Sequence, residues 1–205
     1  MNAYTTLRAQ GESKYEDRKS VFLGFAHPVK TEGDALAFIE AVRKKYSDAK
    51  HHVFAYSLRE NSIARFSDDR EPQGTAGLPV LESLKRADIV DAVVVVVRYF
   101  GGTLLGTGGL VRAYSAAAQD AVRNAGIIVY DLYSSFEITV SYSDHGKLSS
   151  VLDGTPFRTV DVRYAESVTV CGKILSSMEE SFKKSVIDST FGRCKIEKIE
   201  EKFDF

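Results

Sequence analysis

The sequence has little cysteine, no long apolar run and almost no net charge. Two cysteines, Cys171 and Cys194, cannot build a disulfide framework in 205 residues. Both lie in strand-like stretches and read as small apolar side chains, with a disulfide, metal or redox pair as the remaining alternatives. The longest wholly apolar run, residues 92–97, falls far short of the roughly 20 residues that a membrane helix needs. Residues 1–20 are polar and mixed in charge, so the sequence predicts no secretory leader. Together with the low cysteine count this predicts a reducing cytoplasm. Lys and Arg number 27 against 28 Asp and Glu. That excludes a generally polybasic protein and leaves room only for a local basic site. No Gly-x-Ser-x-Gly elbow is present, so serine hydrolase chemistry has no support. No low-complexity segment or Pro/Gly-rich linker marks a boundary.

What is there is enough to fold. Apolar residues make up 44% and charged residues 27%, a balance that supports a packed core. The length allows one large domain or two small ones. Residues 21–26 are apolar on both faces and read as a buried strand. Thr31 with Asp34 approximates a capping box ahead of Ala35, Phe38, Ile39, Val42 and Tyr46, which fall at helical spacing over residues 32–46. Residues 52–57 alternate as a strand. Residues 59–79 are polar and read as one long loop, and residues 81–86 as a short helix. Residues 91–100 are β-branched and bounded by glycine, which predicts a central strand. Leu110, Tyr114, Ala117, Ala118, Ala121, Val122 and Ala125 then form one helical stripe. Its alanines keep it thin enough to lie close on a sheet, and Gly126 suits the terminating position.

From about Ser134 the order reads β-α-β-β-α-β, the split βαβ pattern. Ser177 with Glu180 is a further capping-box candidate, and the last apolar set slips in period as a bulge would. The sequence therefore predicts an α+β protein of two domains, residues 1–131 and 132–205. The first holds 17 basic against 16 acidic side chains and the second 10 against 12, so any phosphate contact must be local.

The chemistry-bearing segments are Asp68-Asp69-Arg70-Glu71-Pro72-Gln73-Gly74-Thr75-Ala76-Gly77, Arg98-Tyr99-Phe100-Gly101-Gly102, and Gly106-Thr107-Gly108-Gly109-Leu110-Val111-Arg112-Ala113-Tyr114. A strand ends in Arg98, glycines allow sharp turns, and a long helix begins at once. Its unpaired N–H groups and positive dipole end make an anion seat, with Thr107 as a cap and Arg112 in the first turns. No Lys-Ser/Thr follows the glycines, so this is not a Walker loop, and Val111 stands where a Rossmann fingerprint needs its third glycine. Glycines that serve geometry alone remain an equal alternative. Tyr99, Phe100 and Tyr114 beside Arg98 and Arg112 suit base stacking with phosphate contact, although Tyr114 lies on the apolar stripe and also reads as core. His51 and His52 face opposite sides of a strand and read as structural. Asp68 and Asp69 read as a solvated turn, with Mg²⁺ binding as the alternative.

These segments strongly resemble the IMPACT/YigZ family. The likeness rests on the "DDREPQGTAGLPVL" and "VVVVRYFGGTLLGTGGLVRAYSAAA" stretches and on Asp48-Ala49-Lys50-His51 followed by Ala55-Tyr56. The resemblance implies an N-terminal ribosomal-protein-S5-domain-2-like fold and a C-terminal ferredoxin-like domain similar to the last domain of elongation factor G. It implies no established enzyme activity. The eukaryotic member is a regulator of translation that works by protein binding, and fold similarity suggests RNA or ribosome association for bacterial members. The family motif covers Glu71, Pro72, Gly74, Thr75, Ala76 and Gly77; then Arg98, Tyr99, Phe100, Gly101 and Gly102; then residues 106 and 108–114. Arg70 replaces a usual glycine, Gln73 a small residue, and Leu104 the lysine of some members.

The expectation is a non-enzymatic binding protein with a translation-regulatory role, holding RNA or the ribosome in an N-terminal cleft. Glu71, Gly74, Thr75, Gly77, Arg98, Tyr99, Gly101, Gly102, Gly106, Thr107, Gly108, Gly109 and Arg112 are its candidate binding residues. Arg98 and Arg112 would meet phosphate, and Glu71 would organise the loop. No catalytic residue, metal or cofactor is expected, no membrane contact and no sequence-specific reading of DNA; the oligomeric state stays open. Two alternatives remain: a protein-interaction surface, and an enzyme for a small phosphorylated metabolite using Asp68, Asp69 or Glu71.

Overall fold

The computed structural model describes residues 3–205, which divide into two compact units, Tyr4–Val129 and Tyr130–Phe205. The chain runs β1 (Tyr4–Leu7), β2 (Gly11–Asp17), β3 (Ser20–Pro28), α1 (Glu32–Lys45), β4 (His51–Leu58), β5 (Ile63–Ser67), α2 (Gly77–Lys85), β6 (Ala92–Tyr99), α3 (Gly106–Ala125) and β7 (Ile127–Val140). It continues with α4 (Tyr142–Asp153), β8 (Arg158–Tyr164), β9 (Val168–Leu175), α5 (Glu179–Thr190) and β10 (Cys194–Asp204). The α+β class expected from the sequence is what the chain adopts.

In the first unit the sheet order is β2-β3-β6-β4-β5, antiparallel throughout. β6 is its central strand because side chains on both faces are apolar. Val94 and Val96 join Phe22, Leu84, Leu110 and Tyr114 in one core. Val93, Val95 and Val97 join Phe25, Ile39 and Tyr56 in the other, beneath α1. The unit is therefore three-layered, with α1 on one face and α2 with α3 on the opposite face. α3 lies very close to the sheet. A Cβ on Gly24 would come within 2.5 Å of the Ala117 carbonyl oxygen, and Ser13 Oγ donates to the same carbonyl at 2.7 Å. The small residues of the helix stripe and Gly24 on the strand are two halves of one contact.

The second unit orders its strands β10-β7-β9-β8, all antiparallel, which is the 4-1-3-2 arrangement of the βαββαβ pattern. Its core gathers Phe136, Ile138, Leu148, Phe157, Val170, Phe182 and Val186. The expected irregularity in the last strand is a bulge between Lys198 and Glu200.

Several local expectations need correction. Residues 59–79 are not one loop: β5 pairs with β4, and α2 starts at Gly77. α5 is capped by the backbone of Met178 without a side-chain bond, so Ser177 and Glu180 form no capping box. α3 begins at Gly106 after Leu105, with no side-chain cap, which puts Thr107 inside the helix. Thr31 and Asp34 do form the reciprocal box, and Gly126 ends α3 at φ 72°. Cys171 and Cys194 are free and half-buried rather than fully buried.

Candidate functional site

The loop between β5 and α2 is built by carboxylates. Asp68 and Glu71 close a turn, the Glu71 N–H donating to the Asp68 carbonyl at 2.9 Å, with Asp69 and Arg70 at φ 40° and 69°. The Asp68 carboxylate accepts the N–H groups of Gly74 at 2.9 Å, Ala76 at 3.1 Å and Gly77 at 2.8 Å. It thereby holds the whole loop and caps the start of α2. Asp69 accepts the His52 N–H at 2.6 Å, and its carbonyl lies 2.9 Å from His51 Nδ1. Thr75 is buried and donates to the Pro72 carbonyl. Asp68, expected as part of a solvated turn, thus makes the bonds that organise this loop, as was expected of Glu71.

Glu71 points inward. Its carboxylate is 4% exposed and accepts from Arg98 Nη1 at 2.6 Å and from the Tyr114 hydroxyl at 2.7 Å. His51 Nε2 lies 4.0 Å away. Burial, and then the Glu71 charge, push the Tyr114 phenol far above its ordinary range. Tyr114 is fully buried and is therefore core, edge-on to Phe22 at 5.1 Å. The Arg98 guanidinium lies 5.5 Å from the Phe22 ring and 5.5 Å from the Phe100 ring, and its Nε has no partner among the described residues. Arg98, expected to meet phosphate directly, is buried here with its charge neutralised by Glu71. Tyr99 is likewise engaged, its hydroxyl donating to Asp48 at 2.8 Å. Asp68, Asp69 and Glu71 are each engaged by the protein itself. Among the described residues no group of three or more His, Cys, Asp and Glu side chains is placed to hold a metal.

The mouth of α3 is open. Gly106, Thr107 and Gly108 are exposed while Gly109 turns inward. No side chain among the described residues caps this end, so its first N–H groups face solvent. Arg112 is exposed and forms no ion pair among the described residues; its Nη1 would lie 3.7 Å from a Cβ on Gly108, so the guanidinium folds back over the helix start. Gly101 and Gly102 form the approach, where the Gly101 N–H donates to Ser20 Oγ at 3.1 Å. The candidate residues thus separate into a buried set (Glu71, Thr75, Gly77, Arg98, Gly109), a half-buried set (Gly74, Tyr99, Gly101) and an exposed set (Gly102, Gly106, Thr107, Gly108, Arg112). Only the exposed set is open to solvent.

The Impact N-terminal domain family matches residues 18–122, and the family described as Domain of unknown function (DUF1949) matches residues 138–193. IMPACT family member YvyE of Bacillus subtilis is 32% identical over 201 residues, 98% of this chain and 93% of that protein. IMPACT family member YigZ of Escherichia coli is 32% identical over 190 residues, 91% of this chain and 93% of its own length. Protein IMPACT homolog of Saccharomyces cerevisiae is 30% identical over 111 residues, 52% of this chain and 43% of its own. A solved structure titled "Crystal structure of an hypothetical protein" superposes with a TM-score of 0.61 at 28% identity, covering 98% of both chains.

Proposed function

This chain belongs to the IMPACT family, and from that premise we propose that it is a non-enzymatic translation regulator that binds RNA on the ribosome through the mouth of α3. One observation carries the proposal: the start of α3 has no side-chain cap, and the exposed Arg112, which forms no ion pair among the described residues, reaches back to Gly108 in its first turn. Free amides and the helix dipole favour a phosphate, and a guanidinium adds a charged, directional contact. Such a local seat suits a chain of net charge −1, which has no general attraction to nucleic acid. Glu71 and Arg98 act behind it by fixing the strand end from which the approach loop departs.

Filter binding with purified ribosomes and structured RNA at low salt tests this. Gly108→Asp is the informative variant, because a Cβ there meets only the tip of Arg112 and an acid in the first turn favours the helix. We expect Gly108→Asp and Arg112→Ala each to weaken binding about tenfold without loss of thermal stability. Wild-type affinity in both variants would falsify the proposal. A protein partner is the second reading. It is favoured by the groove between α2 and α3, cavities of about 210 and 460 Å³ that share Ser83, Arg86 and Gln119. Partners that survive nuclease treatment of a lysate, and are lost with Arg86→Glu, would support it over RNA.

A further inference from the structure

The tip of the β2–β3 hairpin is a strongly charged, strained segment that the site above does not use. Asp17 pairs with Ser20, so Arg18 and Lys19 alone make the turn. Their φ values are 45° and 66°. This is the mirror-image turn of two-residue hairpins, for which Asn-Gly and Asp-Gly are the favoured pairs. A long side chain with positive φ costs backbone strain that asparagine or glycine relieves. The chain therefore keeps two exposed cations where local stability prefers neither. Among the described residues the neighbouring ion pair joins Lys14 to Glu16 and leaves Asp17, Arg18 and Lys19 outside it.

The tip is fastened to the approach of α3. Arg18 Nη1 donates to the Leu104 carbonyl at 3.3 Å. A Cβ on Gly101 would lie 2.0 Å from the Lys19 carbonyl carbon, so the two backbones are in direct contact. Val21 pairs with Tyr99, which sets Phe100 level with the base of the tip. Phe100 is 49% exposed, and the Arg98 guanidinium that Glu71 fixes lies beside its ring. A pre-oriented aromatic ring thus stands next to two cations that form no ion pair among the described residues, and the α3 mouth lies a few residues further along the same loop.

We infer that the hairpin tip and Phe100 make this surface selective for single-stranded RNA. An unstacked base lies on the exposed face of Phe100, and Arg18 and Lys19 take the flanking phosphates. In a duplex the bases are paired and stacked, so the ring has nothing to receive. This inference rests on the α3 mouth being a phosphate seat, and the variants below separate the two.

The test is fluorescence anisotropy on the full chain with labelled oligouridylate of about 12 nucleotides and an RNA duplex of similar length. Arg18→Asn with Lys19→Gly installs the preferred turn residues, so Tm should hold or rise. Affinity for the single strand should fall about tenfold, and the slope of log K against log salt should flatten by about 1.4, two contacts at roughly 0.7 each. Phe100→Ala should weaken the single strand about tenfold and leave duplex binding unchanged. Unchanged affinity and salt slope in the hairpin variant overturn the inference, as does wild-type protein that holds the duplex as tightly as the single strand. If Arg112→Ala weakens binding and the hairpin variant does not, only the hairpin's part fails. If wild-type protein binds neither RNA, the phosphate seat fails with it.

Discussion

At the residue scale the Glu71, Arg98 and Tyr114 contacts decide what the family motif does. A carboxylate with two donors at 2.6 and 2.7 Å inside a core is satisfied, but each partner depends on it. Removing Glu71 strands a buried guanidinium whose Nε already lacks a partner. Glu71→Ala should therefore cost about 3–5 kcal/mol in urea unfolding. Tyr114→Phe deletes one hydrogen bond to a charged acceptor and should cost about 1.5–3 kcal/mol. A larger loss from Tyr114→Phe than from Glu71→Ala would contradict the pairing. The motif residues were legible in the sequence because glycine, proline and charge cluster in them. Their roles were not. Glu71 meets Arg98 across 27 positions and Tyr114 across 43, and local spacing carries no information about such partners. Asp68 had a usable signal, an acid followed by Gly74, Thr75 and a helix start, yet that signal also describes an ordinary solvated turn.

At the element scale, legibility followed periodicity. α3 and β6 stand out because one has a clean 3.6-residue stripe and the other an unbroken β-branched run. β2 does not, because it is polar in composition with an exposed outward face, and β5 does not, because it is only five residues long and has no buried face to set a period. α2 starts four residues before the helix expected at residues 81–86, where the Asp68 carboxylate caps it by accepting the Ala76 and Gly77 N–H groups. The thin alanine stripe of α3 predicted close packing, and the glycine facing it makes the prediction quantitative. Gly24→Ala forces a methyl against the Ala117 carbonyl and should destabilise by about 1–3 kcal/mol. Gly146, inside α4, has nothing within 4 Å of a built Cβ. Gly146→Ala should instead stabilise by about 0.5–1 kcal/mol, since only helix propensity changes. Thermal melts of the two variants should move in opposite directions.

At the scale of the whole molecule, each of the two units has core of its own, so acid and heat need not act on both alike. Phe182 is 2% exposed and stacks on Phe157 at 4.8 Å, so Phe182→Ala should cost about 3–5 kcal/mol and identify the calorimetric transition of the second unit. That unit is tied by buried or half-buried carboxylates. Burial raises the Glu179 pKa, but hydrogen bonds from Lys183, Lys198 and Ser134 outweigh it and bring the group from 4.5 to about 2. Arg193 and Lys147 likewise hold Asp144 well below the usual carboxylate range. Both groups bind protons less readily folded than unfolded. Their contribution is complete above the unfolded pKa values, and it is lost as pH falls through the folded ones. The second-unit transition should therefore drop steadily from about pH 4.5 toward pH 2. Glu179→Gln keeps the shape, lowers Tm at neutral pH and removes part of that slope. A Glu179→Gln protein whose transition falls with pH as steeply as the wild type would show that the α5-to-β10 contacts of Lys198 and Glu179 do not hold this unit together.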